Sequence, residues 1–187
     1  MSLFDGAKSI VFANKNVTKL ELDGVVLWQA VTYKNWVKYS TESDGVTIYN
    51  GGLGYKDGYR VRSGGAEVGA GDAFCTGFIP VKGGDAIYLS GWNFSHASAA
   101  NAINVSDSNR NNIGQFTMQP ASYGILNAYD GAYKEYSFSS VVEVGTGVWK
   151  WVVPPSDSGV AYIRITGYQV DKTGADMIVT INEEIPT

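Results

Sequence analysis

Aromatic rings and short polar side chains crowd into two stretches of this chain, Trp92, Asn93, Phe94 and His96 in GWNFSH, and Tyr123, Asn127, Tyr129, Asp130 and Tyr133 in QPASYGILNAYDGAYK. Such mixtures suit carbohydrate recognition. Aromatic faces pack on the C–H surfaces of sugars, while amide, carboxylate and imidazole groups hold the hydroxyls. Trp92, Asn93, His96, Tyr123, Asn127, Tyr129, Asp130 and Tyr133 are therefore the candidate ligand-binding residues. The competing reading has Trp92 and Phe94 closing one end of the core and the loop tyrosines packing over the fold.

Catalysis and metal binding find less support. Glycoside hydrolysis needs two facing carboxyl groups about 5–10 Å apart. Most of the 18 acidic residues instead sit in turns such as Asp23-Gly24, Asp44-Gly45, Asp57-Gly58 and Asp130-Gly131, where they stabilise the turn itself. Glu21, Glu135 and Glu143 fall on strand-like runs with nothing to pair them. The chain has no Gly-x-Ser-x-Gly elbow, no P-loop and no metal-ligand spacing, so neither an enzyme nor a cofactor is expected. Ser106-Asp107-Ser108-Asn109 offers oxygens to calcium but lacks the EF-hand glycine and glutamate, which leaves a polar hairpin turn as the expectation. One cysteine, Cys75, and one histidine, His96, exclude an internal disulfide and a multi-histidine zinc site. A net charge of −4, with Lys and Arg scattered singly, offers no track for nucleic acid.

The elements that must position these residues read as strands. Hydrophobic residues at 44% suffice for a core, and 23 glycines favour short strands and tight turns over helices. The securest local pattern is Asp72–Phe94, DAFCTGFIPVKGGDAIYLSGWNF, in which two apolar runs flank Val-Lys-Gly-Gly-Asp. A β-hairpin is expected there, with Ile87 and Leu89 inward and Tyr88 and Ser90 outward. AINVSD and IGQFTM form a second expected hairpin around Ser106–Asn112, and residues 119–134 read as a long loop. Gly51–Gly71, with Tyr55, Tyr59, Arg60 and Arg62, reads as an irregular edge strand carrying solvated arginines. Downstream, Trp149, Trp151 and Val153 alternate with Val148, Lys150 and Val152 until Pro154-Pro155 ends the strand. VAYIRITG then puts Ile163 and Ile165 on one face and Tyr162, Arg164 and Thr166 on the other. About eight strands, with turns every 8–12 residues, predict an all-β antiparallel sandwich of jelly-roll type over residues 33–187. Its core is expected to hold Ile87, Leu89, Trp149, Trp151, Ile163 and Ile165.

Residues 1–32 form a separate expected unit, a small β-meander built on the Asp23-Gly24 turn. Leu20, Leu22, Leu27 and Trp28 give it more apolar surface than so few strands can hide, so it is expected to serve attachment or homo-oligomerisation. No apolar run approaches the roughly 20 residues of a membrane span. The N-terminus MSLFDGAKSI has neither the basic region nor the apolar core of a signal peptide, so synthesis in the cytoplasm without membrane insertion is expected.

GYKDGYRVRSGGAEV, TGFIPVKGGDAIYLSG and VAYIRITGYQ…MIVTINEEI together resemble a β-sandwich module of tail, baseplate and tail-fibre proteins in phages and prophages of gut Firmicutes. "GFIPVKGGD", "YIRITG" and "TINEE" carry the likeness, and VTKLELDGVVLWQA is similar to short hairpin segments of the same proteins. The resemblance implies a virion location, other virion proteins as partners, and a bacterial surface glycan as ligand. It implies, as the alternative, a purely structural tail, baseplate or capsid-decoration role. It supplies no catalytic residue.

Overall fold

The computed structural model describes residues 10–12, 15–17, 19–22, 25–29, 33–62, 64–91, 102–119, 122–127, 142–168 and 174–185. The backbone divides into two compact units at Tyr33/Lys34.

The first unit contains β1 (Ile10–Phe12), β2 (Lys15–Val17), β3 (Lys19–Leu22) and β4 (Val25–Gln29). β1 pairs with β2 and β3 with β4, in two separate two-stranded ladders. The expected meander is thus two hairpins. Its β3–β4 member has Leu22 opposite Val25, the register of a two-residue Asp-Gly connection. β2 and β3 do not pair because Thr18 alone joins them, and a chain cannot reverse into an antiparallel partner over one residue.

The second unit is an all-β sandwich. Its strands are β5 (Tyr55–Val61), β6 (Glu67–Thr76), β7 (Ile79–Pro80), β8 (Ala86–Ser90), β9 (Ala102–Ser106), β10 (Asn112–Gln119), β11 (Ser122–Asn127), β12 (Val142–Gly145), β13 (Val148–Val152), β14 (Tyr162–Tyr168) and β15 (Ile178–Ile181). Short 3₁₀ turns lie at η1 (Trp36–Tyr39), η2 (Tyr49–Gly52), η3 (Ser156–Ser158) and η4 (Gly174–Asp176). One antiparallel sheet runs β11-β10-β9-β14-β6-β5, with β7 also on β14; the other runs β12-β13-β8-β15.

Period-2 alternation explains the core. Phe74, Ile79, Ile103, Val105, Ile163 and Ile165 of the larger sheet meet Ile87, Leu89, Trp151 and Val179 of the smaller in one buried cluster. Five of the six residues expected inside are fully buried, and Trp149 is half-buried against the same cluster. β12 departs from the alternation, since Val142 and Val144 are both exposed. A second small cluster of Tyr88, Val148 and Ile185 covers part of the smaller sheet's outer face, so Tyr88 is buried as well.

The expected hairpin over 72–94 is not one. The Val-Lys-Gly-Gly-Asp turn exists, with Asp85 N donating to the Lys82 carbonyl at 3.1 Å. However, β6 and β7 lie in the larger sheet while β8 lies in the smaller. The turn is a corner between layers. Both flanking runs own a core-facing apolar set, and each buries it by entering a different sheet. The corner docks so closely on Pro155 and Ser156 that a Cβ on Gly83 would sit 2.2 Å from the Ser156 backbone nitrogen.

The corner is also fastened to the C-terminal strand. Asp85, itself buried, receives Lys82 N at 2.9 Å and Asn182 Nδ2 at 2.9 Å. Asn182 Oδ1 in turn accepts from Ala86 N at 2.9 Å. The segments GFIPVKGGD and TINEE, distant in sequence, thus meet in one hydrogen-bonded clamp. Asn35 closes the free edge of β15, its Nδ2 donating to the Met177 carbonyl at 2.9 Å and its Oδ1 accepting from Val179 N at 3.1 Å.

Candidate functional site

Of the candidate ligand-binding residues, Trp92, Asn93, His96, Tyr129, Asp130 and Tyr133 lie outside the described residues, as does Phe94. Tyr123 and Asn127 lie on β11, so the long loop expected over 119–134 is corrected in its first half: a strand pairs there with β10. The missed signal is weak alternation in SYGILN, which Gly124 interrupts; a register shift between Thr117 and Met118 accommodates the irregularity.

Register gives Asn127 new company. It stands opposite Gln115, Gln115 opposite Asn104, and Asn104 opposite Arg164. Directly opposed residues of antiparallel strands share a face. By register, a row of one arginine and three amides therefore crosses four strands of the larger sheet, one residue out of phase with the buried pair Ile165 and Ile103.

At the β14 end of this row the polar groups are buried rather than solvated. Arg164 is 4% exposed and Asn104 0% exposed. The covering material is the β5–β6 hairpin, whose distal half folds back over the sheet after a register shift between Asp57 and Tyr59. Val61 N donates to Thr166 Oγ1 at 3.0 Å, and Asn104 Nδ2 donates to the Arg62 carbonyl at 3.1 Å.

Arg164 anchors a charged network there. Its Nε donates to the Thr76 carbonyl at 3.0 Å, and a terminal nitrogen pairs with Glu67 Oε1. The break between β6 and β7 makes this possible, because it frees the Thr76 carbonyl and lets its hydroxyl accept from Ile165 N at 2.9 Å. The guanidinium also lies 4.8 Å from the Phe78 ring centroid. Lys56 Nζ holds Glu67 Oε2 at 3.2 Å and sits 3.6 Å from the ring of Tyr59, which is itself exposed. Tyr49 donates to Glu67 Oε1 at 3.1 Å and lies 3.6 Å from Cys75 Sγ.

Burial pushes the Glu67 carboxyl upward, but Arg164, Lys56 and Tyr49 outweigh it and hold the group below its ordinary value. Burial drives Tyr49 and Cys75 upward, so both remain neutral at ordinary pH. This part of the face is a locked scaffold rather than a reactive centre.

The β9–β10 turn completes the surroundings. Asp107 Oδ1 accepts from Asn109 N at 2.8 Å and Asn111 N at 2.9 Å, and its Oδ2 accepts from Asn111 Nδ2 at 3.1 Å. The carboxylate thus organises a polar turn, as the sequence suggested. Among the described residues no group of three or more His, Cys, Asp or Glu comes together. Next in the turn, Arg110 adopts φ 65° and lays its guanidinium 4.5 Å from the Tyr162 ring centroid.

Sequence reasoning placed Arg164 on the outward face but gave no sign that a hairpin would bury it. Glu67, Tyr49 and Arg110 were passed over entirely. Their only signal was charge beside an aromatic, at separations that local patterns do not connect. Comparison of the chain with protein-family models, with curated protein sequences and with solved structures returns no match.

Proposed function

We propose that the chain is a virion-associated binding module, of phage or prophage tail or baseplate type, that recognises bacterial surface carbohydrate without chemically altering it. The observation that carries this reading is the outer half of the cross-strand row on the larger sheet, where Gln115 of β10 stands opposite Asn127 of β11. Amides both donate and accept, which matches the paired donor and acceptor character of sugar hydroxyls. Strands fix the spacing of such groups better than loops do. The row's far end, at Gln115 and Asn127, reaches the β10–β11 side of the sheet, and the candidate residues around Tyr129 follow β11 directly in sequence.

A glycan array probed with the purified chain tests the proposal. Binding to a bacterial polysaccharide is expected, and Asn127→Ala and Trp92→Ala should each weaken it by about 1–3 kcal/mol through lost hydrogen bonding or apolar contact. Melting temperatures should stay near wild type. Failure to bind any glycan, or normal binding by both variants, refutes the assignment.

A second reading has its own support. Val46 is 83% exposed, Leu53 55% and Tyr39 51%, with Ile48 also exposed, all within residues 39–53. Neighbouring apolar groups in solvent suit contact with another virion protein, the purely structural role. Light scattering that shows self-association abolished by Val46→Asp and Leu53→Asp, together with an empty glycan array, would favour it.

A further inference from the structure

We propose that Trp36 and Tyr39 form an aromatic cage for a quaternary ammonium group, the trimethylammonium head of choline and its esters, and that Lys34 occupies the cation position until such a ligand displaces it. The site shares no residue with the amide row, so the inference goes beyond the carbohydrate reading and stands or falls without it.

The cage follows from the local fold. In a 3₁₀ turn, side chains three residues apart eclipse, so η1 brings its first and last residues, Trp36 and Tyr39, to one side. Their ring centroids lie 6.2 Å apart at an interplanar angle of 65°. The turn is fixed at both ends. Asn35 Oδ1 accepts from Val37 N at 3.2 Å, while the same side chain bridges to the Met177 carbonyl and to Val179 N of β15. Ser40 N closes the turn on the Val37 carbonyl at 3.2 Å. Trp36 packs against the main core, and Tyr39 is half in solvent. Two rings are therefore held at a set angle with one of them open to a ligand.

A cation already marks the position. Lys34 Nζ lies 3.5 Å from the Trp36 ring centroid and 4.3 Å from that of Tyr39. Both distances are well inside the roughly 6 Å over which a ring quadrupole attracts a cation. Among the described residues no carboxylate lies within ion-pair distance of this ammonium, so it is the rings that it meets there. Glu183 adds negative charge close by, its Oε2 accepting from the Lys34 backbone N at 3.2 Å.

The ligand class follows from what can compete with Lys34. A primary ammonium is compact and strongly hydrated, so an exposed lysine gains little from the rings and returns to water at little cost. A second primary amine has no advantage over one already tethered beside the site. A quaternary ammonium has one: its charge is spread over methyl groups that cannot hydrogen-bond to water and that pack directly on ring faces. An uncharged alkyl group of the same shape keeps the packing and loses the attraction to the quadrupole.

Calorimetric titration of the full chain with choline chloride, with phosphocholine and with dimethylbutanol, the uncharged carbon isostere of choline, tests this. Saturable binding of choline or phosphocholine is expected, about tenfold tighter than the isostere. Tyr39→Ala should weaken it about tenfold, and Tyr39→Leu, which keeps apolar bulk, nearly as much. Lys34→Ala removes the competing cation and should tighten it about threefold, with thermal melting confirming that each variant is folded. Co-sedimentation with phosphatidylcholine vesicles would support a lipid-borne head group, and binding of the free probes without vesicles a soluble one. No saturable binding of either ammonium probe by wild type or by Lys34→Ala overturns the site. Equal binding of the isostere overturns the cationic class, and binding unchanged in Tyr39→Ala overturns the location. Weaker binding by Lys34→Ala overturns the role given to that lysine. No saccharide is among the probes, so failure here leaves the glycan-array result untouched.

Discussion

Replacing Glu67 by glutamine keeps the shape of the side chain and removes its charge, which strands the guanidinium of Arg164 beneath the β5–β6 hairpin. Arg164's side chain is 5% exposed and Glu67's 26%. Breaking a buried ion pair from one side costs about 3–5 kcal/mol, whereas an exposed pair is worth about 0–1 kcal/mol. Glu67 is a quarter exposed, and Arg164 keeps the Thr76 carbonyl and the Phe78 ring. The expected loss for Glu67→Gln therefore falls between the limits, at about 2–3 kcal/mol. Urea denaturation should show a lower midpoint at unchanged slope.

Adding Arg164→Met removes the stranded charge, so the double variant should recover about 1–2 kcal/mol relative to the sum of the single losses. The pH dependence supplies an independent check. Glu67's folded pKa lies below its ordinary 4.5, so across that window the folded state binds fewer protons than the unfolded one. Its contribution is complete above pH 4.5 and drains as pH falls through the folded value. Wild type should steepen in its acid limb where Glu67→Gln is flatter. A loss under about 0.5 kcal/mol, within the range of ordinary surface substitutions, or identical acid limbs, refutes the network as described.

Three further outcomes follow from the packing. Ile163→Ala, at a fully buried position between the sheets, should cost about 2–5 kcal/mol in chemical denaturation. Asn182→Ala removes the clamp on Asp85 and Ala86 and should cost about 1–3 kcal/mol, with amide exchange quickening first in β8 and β15. Tyr49 and Cys75 have folded pKa values raised by burial, so their contribution is present below their ordinary 10.0 and 9.0 and is lost as pH rises past them. Melting temperature should fall above about pH 9, less steeply in Tyr49→Phe, and an equal fall in both would contradict the burial of that hydroxyl.

The all-β class and most of the core were legible because alternation is a local property. Ile87, Leu89, Ile163 and Ile165 declare their face through their immediate neighbours, and burial then follows from having two sheets. Which runs pair is not local. Lys82–Asp85 carries every mark of a hairpin turn, yet it links two layers, because the ladder partners of β8 are β13 and β15, far along the chain. The β5–β6 hairpin was hidden for the same reason: its fold-back depends on Thr166 and Asn104, more than 40 residues distant at the nearer. Of the candidate ligand set, register places Asn127 opposite Gln115. That opposition exists only once β10 and β11 pair.

The proposed ligand is sugar on a bacterial surface. Labelled protein mixed with a panel of intact gut Firmicute cells, before and after periodate oxidation of their surface glycans, measures this most directly. Binding to cells of at least one strain, lost after periodate and reduced by Asn127→Ala, is the predicted result. Binding that is indifferent to periodate, or absent from every strain, contradicts it.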